Sequence, residues 1–127
     1  MSREWLWRFL MLIAVATIVS GAVQMFWPSL VLRFVGGAST PAGNHFFGIV
    51  GMFMLLFGGA LLQALRSPTA QPIILFWAGL QKLGASAAVG LGVWHAIFNP
   101  VALLVAGFDL FSGVLIFWYL AQGGSRS

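Results

Sequence analysis

Four long apolar stretches determine what this chain can fold into. They run over residues 7–27, 45–65, 73–95 and 101–121. Each has close to the ~20 residues that a helix needs to cross about 30 Å of hydrocarbon. Backbone groups in lipid must be hydrogen-bonded within the segment, and these stretches lack the alternation of barrel strands, so helices are expected. The sequence therefore predicts an all-α, four-helix transmembrane bundle that forms one integral membrane domain over residues 1–127.

The composition indicates lipid as the main partner of the surface. The chain is 61% apolar and 6% charged, whereas a soluble domain carries about 25% charged residues. The net charge of +4 rests on six basic residues that form no stripe, which argues against nucleic acid as a partner. The sequence contains no cysteine, which excludes disulfides, thiol catalysis and cysteine-ligated metal centres.

Proline positions refine the helix boundaries. Proline suits the first turn of a helix, and a polar residue before it can cap that turn. Trp27–Pro28 either closes the first helix or starts a short surface helix through residues 30–35, which Gly36–Gly37 would end. Three further pairs mark the starts of the later helices. Among them, Thr40–Pro41 would start the second helix one turn before its apolar stretch. These pairs are Thr40–Pro41, Gln71–Pro72 and Asn99–Pro100.

The arginine distribution predicts the orientation in the membrane. Four helices place both termini on one side, and only Arg33 falls on the other side. Because positive residues accumulate in cytoplasmic segments, both termini are expected in the cytoplasm. The first stretch is expected to be retained, since no A-x-A-type cleavage site follows it. The arginines on the terminal side are Arg3, Arg8, Arg66 and Arg126.

Small residues recur at helical spacing and predict the helix contacts. In lipid, helices associate where glycine, alanine or serine lets their backbones approach each other. The first helix instead shows a polar face of Thr17, Ser20 and Gln24. The predicted packing positions are Gly48, Gly51, Gly58, Gly84, Ala88, Gly92 and Gly113.

Lys82 and Asp109 are the charged residues that lie deep inside the apolar stretches, away from their ends. A single charge at the bilayer centre costs about 2.5–3.5 kcal/mol on insertion scales, so one charge of each sign on consecutive helices suggests a pair. Counted from the turn that joins these helices, Lys82 lies about 20 Å deep and Asp109 about 14 Å. The difference is close to the reach of an extended lysine side chain, so an intramembrane ion pair is predicted.

Three interpretations of this pair remain open. It can fix the register of the last two helices as a structural ion pair. It can belong to a small proton-coupled transporter, in which a membrane carboxylate loads and unloads a proton or cation. It can instead dock a partner subunit or a lipid. A further alternative lets Lys82 snorkel to the cytoplasmic surface, although a depth of about 15 Å from Pro72 makes that a long reach.

His45 and His95 fall at the same predicted level, at the ends of their helices opposite the termini. A shared level suits two ligands of a haem or metal, which would make the chain a quinone- or haem-binding oxidoreductase subunit. Neither histidine has a nearby cysteine or carboxylate, however, so no metal and no cofactor are expected. Glu4 and Asp109 are the two acids and lie far apart in the chain, which leaves no paired-carboxylate chemistry within one chain.

The layout of four helices, short loops and glycine-rich segments resembles small bacterial inner-membrane proteins of the DoxX-like kind. The resemblance covers the whole chain and rests on architecture, so no site residue is carried over from it. Some members of that group are linked to quinone-dependent oxidation. The resemblance implies an accessory membrane subunit rather than a free-standing enzyme. The expected protein is therefore a non-enzymatic membrane component that assembles with a membrane-protein partner or as a homo-oligomer.

Overall fold

The computed structural model describes residues 2–67 and 71–124 as five helices. All but the second of these helices are long and apolar enough to cross a membrane. No strand occurs within these two described ranges, and the prediction of an all-α, four-helix bundle is confirmed. The helices are α1 (Arg3–Phe26), α2 (Pro28–Phe34), α3 (Pro41–Leu65), α4 (Gln71–Trp94) and α5 (Ala102–Gly124).

Polar caps explain where several helices begin. Ser2 Oγ accepts a hydrogen bond from the Trp5 backbone at the start of α1. Thr40 Oγ1 accepts one from the Gly43 backbone at 3.0 Å, so α3 begins a turn before its apolar run. Such caps satisfy backbone N–H groups that have no partner inside the helix. The sequence leaves open whether Trp27–Pro28 closes the first helix or starts a short one. Pro28 is the first residue of α2, so a short helix does follow α1.

The long helices form two closely packed pairs. Helix α1 packs along α3, and α4 packs along α5. The pairs meet through narrower contacts between α3 and α4 and between α1 and α5. Helices α1 and α4 are therefore diagonal to each other, and no Cα atoms of these two helices lie within 8 Å. The backbones of these two helices are therefore separated by side chains in the centre of the bundle.

The main apolar core lies at the end of the bundle where α1 begins and α5 ends, here called the terminus end. Arg3 Nη1 donates to the Tyr119 carbonyl at 2.7 Å, which ties these two helices together. Trp7 Nε1 donates to the Leu65 carbonyl at 2.7 Å, which adds the end of α3. The largest fully buried apolar side chains of this core are Leu6, Leu10, Leu61, Leu75 and Ile116.

Helix α2 covers the opposite end of the bundle, here called the α2 end. Its apolar side places Leu32, together with Val35 just after the helix, against Ala102 at the start of α5. The Asn99 backbone N–H donates to the Val35 carbonyl at 2.8 Å. The chain after α2 is thereby fastened to the turn between α4 and α5.

The arginines and the exposed tryptophans lie near the two ends of the bundle. Arg33 belongs to α2 and lies at the α2 end, whereas Arg3, Arg8 and Arg66 belong to helix ends at the terminus end. Arg126, which also entered the topology prediction, lies outside the described residues. Exposed tryptophans occur near both ends, as in the aromatic belts of membrane proteins. They are Trp5, Trp27, Trp77, Trp94 and Trp118.

Candidate functional site

Lys82 is a buried lysine in the middle of α4, with only 4% of its surface exposed. Its ammonium group donates to Asp109 Oδ1 of α5 at 3.4 Å and to Thr17 Oγ1 of α1 at 2.6 Å. The predicted ion pair is therefore present, and it has a third member on the first helix. The lysine does not snorkel to the surface, because its charged end is held inside the bundle.

The depths of the three residues explain why they meet. Thr17 precedes the end of α1 by nine residues, and Asp109 follows the start of α5 by seven. At 1.5 Å per residue these positions lie about 14 Å and about 11 Å from the α2 end. Lys82 precedes the end of α4 by twelve residues, which places it about 18 Å deep. An extended lysine side chain spans the remaining difference in depth.

The contact between Lys82 and Thr17 crosses the bundle diagonal. No Cα atoms of α1 and α4 lie within 8 Å of each other, so the lysine side chain makes a connection that the backbones do not. The contact with Asp109, in contrast, lies within the α4–α5 pair. The ammonium group also lies 5.1 Å from the centroid of the Phe108 ring, close enough for a cation–π contribution. One cation thus links the two helix pairs.

Asp109 is less enclosed than its partner, with 13% of its side chain exposed. Its Oδ1 atom accepts the bond from Lys82, whereas Oδ2 accepts no hydrogen bond within the described ranges 2–67 and 71–124. Ser112, one turn further along α5, does not supply one, because its Oγ donates to the Phe108 carbonyl at 2.7 Å. One carboxylate oxygen therefore remains open for a further donor.

Glycines line the contacts within each helix pair. A Cβ atom at Gly51 would lie 2.6 Å from the Met25 backbone N, and one at Gly58 would lie 3.0 Å from the Ile18 backbone N. A Cβ at Gly48 would lie 3.4 Å from the Met25 carbonyl. These distances leave little or no room for a side chain, so α1 and α3 approach each other closely along this line.

The other predicted packing positions divide into two groups. Gly113 faces Leu83 within the α4–α5 pair, and Gly92 faces the ring of Phe98, in each case too closely for a Cβ atom. Gly84 and Ala88 are instead exposed, and a Cβ at Gly84 would meet no atom of the described chain within 4 Å. Among the predicted packing positions of α4, Gly92 therefore has a close neighbour in Phe98, whereas Gly84 and Ala88 face outward.

Three functional details were not anticipated from the sequence. The sequence places Thr17 on a polar face but does not indicate its hydrogen bond with Lys82. Gly21 was not assigned a packing role, yet it lies between Thr17 and Gln24 on the buried side of α1. Gln24 Nε2 donates to the Phe47 carbonyl at 3.0 Å, which adds a polar tie between α1 and α3. The spacing of these residues at 17, 21 and 24 was the signal that could have identified the whole stripe.

The two histidines lie apart from this site. Both His45 and His95 are exposed, and His45 makes an edge contact with its neighbour Phe46 at a centroid distance of 6.1 Å. No group of three or more potential His, Cys, Asp or Glu ligands occurs among residues 2–67 and 71–124. A metal at either histidine would have to take its remaining ligands from elsewhere.

Comparisons with known proteins add no relative from which a function could be transferred. No family model, curated protein or solved structure gives a significant match to the chain.

Proposed function

We propose that this chain is a non-enzymatic component of a bacterial inner membrane, with both termini in the cytoplasm, in which Lys82 and Asp109 form a structural ion pair. The observation that supports this role is the bridging position of Lys82. Its ammonium group is shared between Thr17 of α1 and Asp109 of α5 while its backbone belongs to α4. A cation held between three helices is suited to setting the position of one helix pair against the other.

Energetics favour a structural role for such a pair. Each charge alone is costly at membrane depth, but two opposite charges in contact reduce that cost for each other. Removing one partner from a buried pair leaves the other unpaired and typically costs about 3–5 kcal/mol in soluble proteins. Replacing both by neutral groups of similar size is often nearly neutral. The pair therefore specifies an arrangement of helices more than it adds net stability.

A double-mutant cycle tests this proposal. Lys82→Met and Asp109→Asn are each expected to lower the melting temperature of the purified chain in detergent, and the double variant should recover much of the loss. In a complementation assay, the double variant should also keep its activity. Ser20→Ala serves as a control, because Ser20 is an exposed polar residue of α1 outside the ion pair. Additive losses in the double variant would contradict a structural pair.

The outer face of α4 supports a role as an accessory subunit or a homo-oligomer. Gly84 and Ala88 lie one turn apart on this face, and both are exposed. Glycine weakens a helix relative to alanine, and Gly84 serves no close contact with the residues that the structure describes. Small residues at this spacing let a second membrane helix approach closely. A membrane-protein partner or another copy of this chain would occupy that face, in keeping with the accessory role implied by the DoxX-like resemblance.

Gly84→Leu tests the assembly role, with Gly107→Leu as its matched control. Both glycines are helical, and a Cβ at either position would meet no atom of the described residues within 4 Å, so neither change should harm the fold of one chain. Gly84→Leu is expected to reduce co-purification of partner protein, or to shift the chain from oligomer to monomer in size-exclusion chromatography with light scattering. The Gly107→Leu variant should behave like the wild type. Equal behaviour of both variants would contradict a helix contact at Gly84.

The open oxygen of Asp109 favours one second candidate, a small proton-coupled transporter. A partly exposed carboxylate whose Oδ2 accepts no hydrogen bond from residues 2–67 and 71–124 is able to accept a proton or to bind a cation. In that case Asp109→Asn should abolish proton-linked flux in proteoliposomes while the fold survives. A stable double variant of Lys82→Met and Asp109→Asn that remains inactive would favour the transporter over the structural pair.

A further inference from the structure

An open groove runs along the outer side of α3 near the terminus end. Its walls come from Gly59, Leu62, Gln63 and Arg66, with Ser67 at its end. The first four recur at intervals of three or four residues, so they form one stripe of the helix surface. The stripe runs from Gly59 to Arg66, a distance of about 10 Å along the helix axis. It passes from an apolar segment of the bundle to a charged helix end.

Gly59 lies at the apolar end of the groove. A Cβ atom there would meet no atom of the described chain within 4 Å, whereas its neighbour Gly58 packs closely on Ile18 of α1. The missing side chain at Gly59 therefore serves no helix contact within residues 2–67 and 71–124. It instead leaves open space beside Leu62.

Arg66 supplies the charged end of the groove. The guanidinium groups of the other described arginines each have a partner. Arg3 donates to the Tyr119 carbonyl, Arg8 pairs with Glu4, and Arg33 donates to the Ser29 carbonyl. The Arg66 guanidinium makes no ion pair or hydrogen bond within the described ranges. It is exposed at the end of α3, and its planar fork suits two oxygens of a phosphate.

We propose that this groove binds one anionic glycerophospholipid from the surrounding bilayer. Its phosphate pairs with Arg66, its polar headgroup lies near Gln63, and one acyl chain follows Leu62 to Gly59. Arg66 lies at the helix end, where the phosphate of a lipid would be. Leu62 and Gly59 lie further into the membrane, where its acyl chain would be. Charge complementarity selects an anionic lipid over a zwitterionic one, since a single unpaired cation attracts net negative charge at the membrane surface.

Native mass spectrometry of the full purified chain in detergent tests this site, with phosphatidylglycerol and phosphatidylcholine of matched acyl chains as probes. The wild type is expected to bind phosphatidylglycerol about fivefold more tightly, the effect of one interfacial arginine. Arg66→Gln should remove this preference and weaken phosphatidylglycerol binding more than phosphatidylcholine binding, because both lipids carry the phosphate but only phosphatidylglycerol has a net negative charge. Gly59→Leu should weaken the binding of both lipids, because the leucine fills the space for the acyl chain.

Two controls separate this site from general attraction. Arg33→Gln removes an exposed arginine at the α2 end, and Gly107→Leu fills an open glycine position on α5; both variants should bind like the wild type. An equal affinity for the two lipids, or an equal effect of Arg33→Gln, would overturn the proposal. Displacement of the lipid by millimolar inorganic phosphate would show an anion site without an acyl groove. A Gly59→Leu variant that changes the oligomeric state would show that protein, not lipid, fills the groove.

Discussion

Gly21 of α1 and Gly51 of α3 face each other across the contact between their helices. A Cβ atom at Gly21 would lie 2.7 Å from the Gly51 carbonyl oxygen, and one at Gly51 would lie 2.8 Å from the Gly21 carbonyl oxygen. Neither position has room for a methyl group, so the two glycines determine how closely α1 and α3 approach. Thr17 lies one turn from Gly21 on the same helix, so this contact also positions the hydroxyl that accepts the hydrogen bond from Lys82.

Gly51→Ala is expected to destabilise the bundle by about 1–3 kcal/mol, because overpacking forces the backbones apart. The added methyl group would meet the Met25 backbone N at 2.6 Å. Thermal or denaturant unfolding in detergent, followed by circular dichroism, measures the change. Gly107→Ala is the control, since it meets nothing within 4 Å and should be neutral or slightly stabilising. Equal stability of the two variants would contradict a close contact at Gly51.

Ala96→Gly is expected to stabilise the chain by about 1 kcal/mol. Ala96 has φ of 59°, a left-handed conformation that strains alanine. Its N–H donates to the Val93 carbonyl and the next N–H to the Gly92 carbonyl, the hydrogen bonds of a Schellman motif. The same motif ends α2, where the corresponding residue is Gly36.

Ala87→Gly is the matched control for this prediction. Ala87 is exposed in the interior of α4, where glycine should cost roughly 1 kcal/mol. The two alanine-to-glycine changes should therefore shift the melting temperature in opposite directions. A loss of stability in both variants would mean that Ala96 is not strained in the folded chain.

The helices and the ion pair could be predicted from the sequence because both follow from the cost of polar groups in lipid. Twenty apolar residues in a row have few alternatives to a helix, and two opposite charges at similar depth have strong reason to meet. Thr40–Pro41 likewise predicted the early start of α3 from the chemistry of the cap alone. These are consequences of local sequence and of depth along one axis.

The neighbours of each helix could not be derived in the same way. Thr17 and Ser20 looked equivalent in the sequence, yet Thr17 is buried against Lys82 and Ser20 is exposed. The difference depends on which helix lies diagonal to α1, and that follows from packing of all four helices together. For the same reason Gly84 resembled Gly51 in the sequence, although only Gly51 has a neighbouring helix against it.

His45→Ala and His95→Ala are each expected to leave the absorption spectrum and the metal content of the purified protein unchanged. Both side chains are exposed, and a haem or metal site normally gathers further ligands around a histidine. A stoichiometric haem or metal that either change removes would instead support an oxidoreductase subunit.

The topology is expected to place both termini in the cytoplasm, because Arg3, Arg8 and Arg66 occupy the terminus end. A phosphatase reporter that is active only outside the cytoplasm should give no signal when fused to the C-terminus. Inserted between Ala38 and Ser39, it should be active, and this position avoids both α2 and α3. Activity of the C-terminal fusion without activity of the loop insertion would reverse the assignment.

Thr17→Val is expected to destabilise the chain by about 1.5–3 kcal/mol, the usual value of a hydrogen bond to a charged group. Valine keeps the size and β-branching of threonine but removes the oxygen that lies 2.6 Å from Lys82 Nζ. Thr17→Ser keeps the hydroxyl and should retain more of the stability, apart from the loss of one methyl group. Unfolding in detergent measures both variants.

The Lys82→Met background shows whether this loss arises from the contact across the bundle diagonal. Without the ammonium group, the Thr17 hydroxyl has no hydrogen bond from Lys82 to accept. Thr17→Val should then lower the free energy of unfolding much less than in the wild type. The difference between the two costs is the coupling energy of Thr17 and Lys82. An equal cost in both backgrounds would mean that Thr17 acts through packing alone. Lys82 would then connect α4 to α5 but not the two helix pairs to each other.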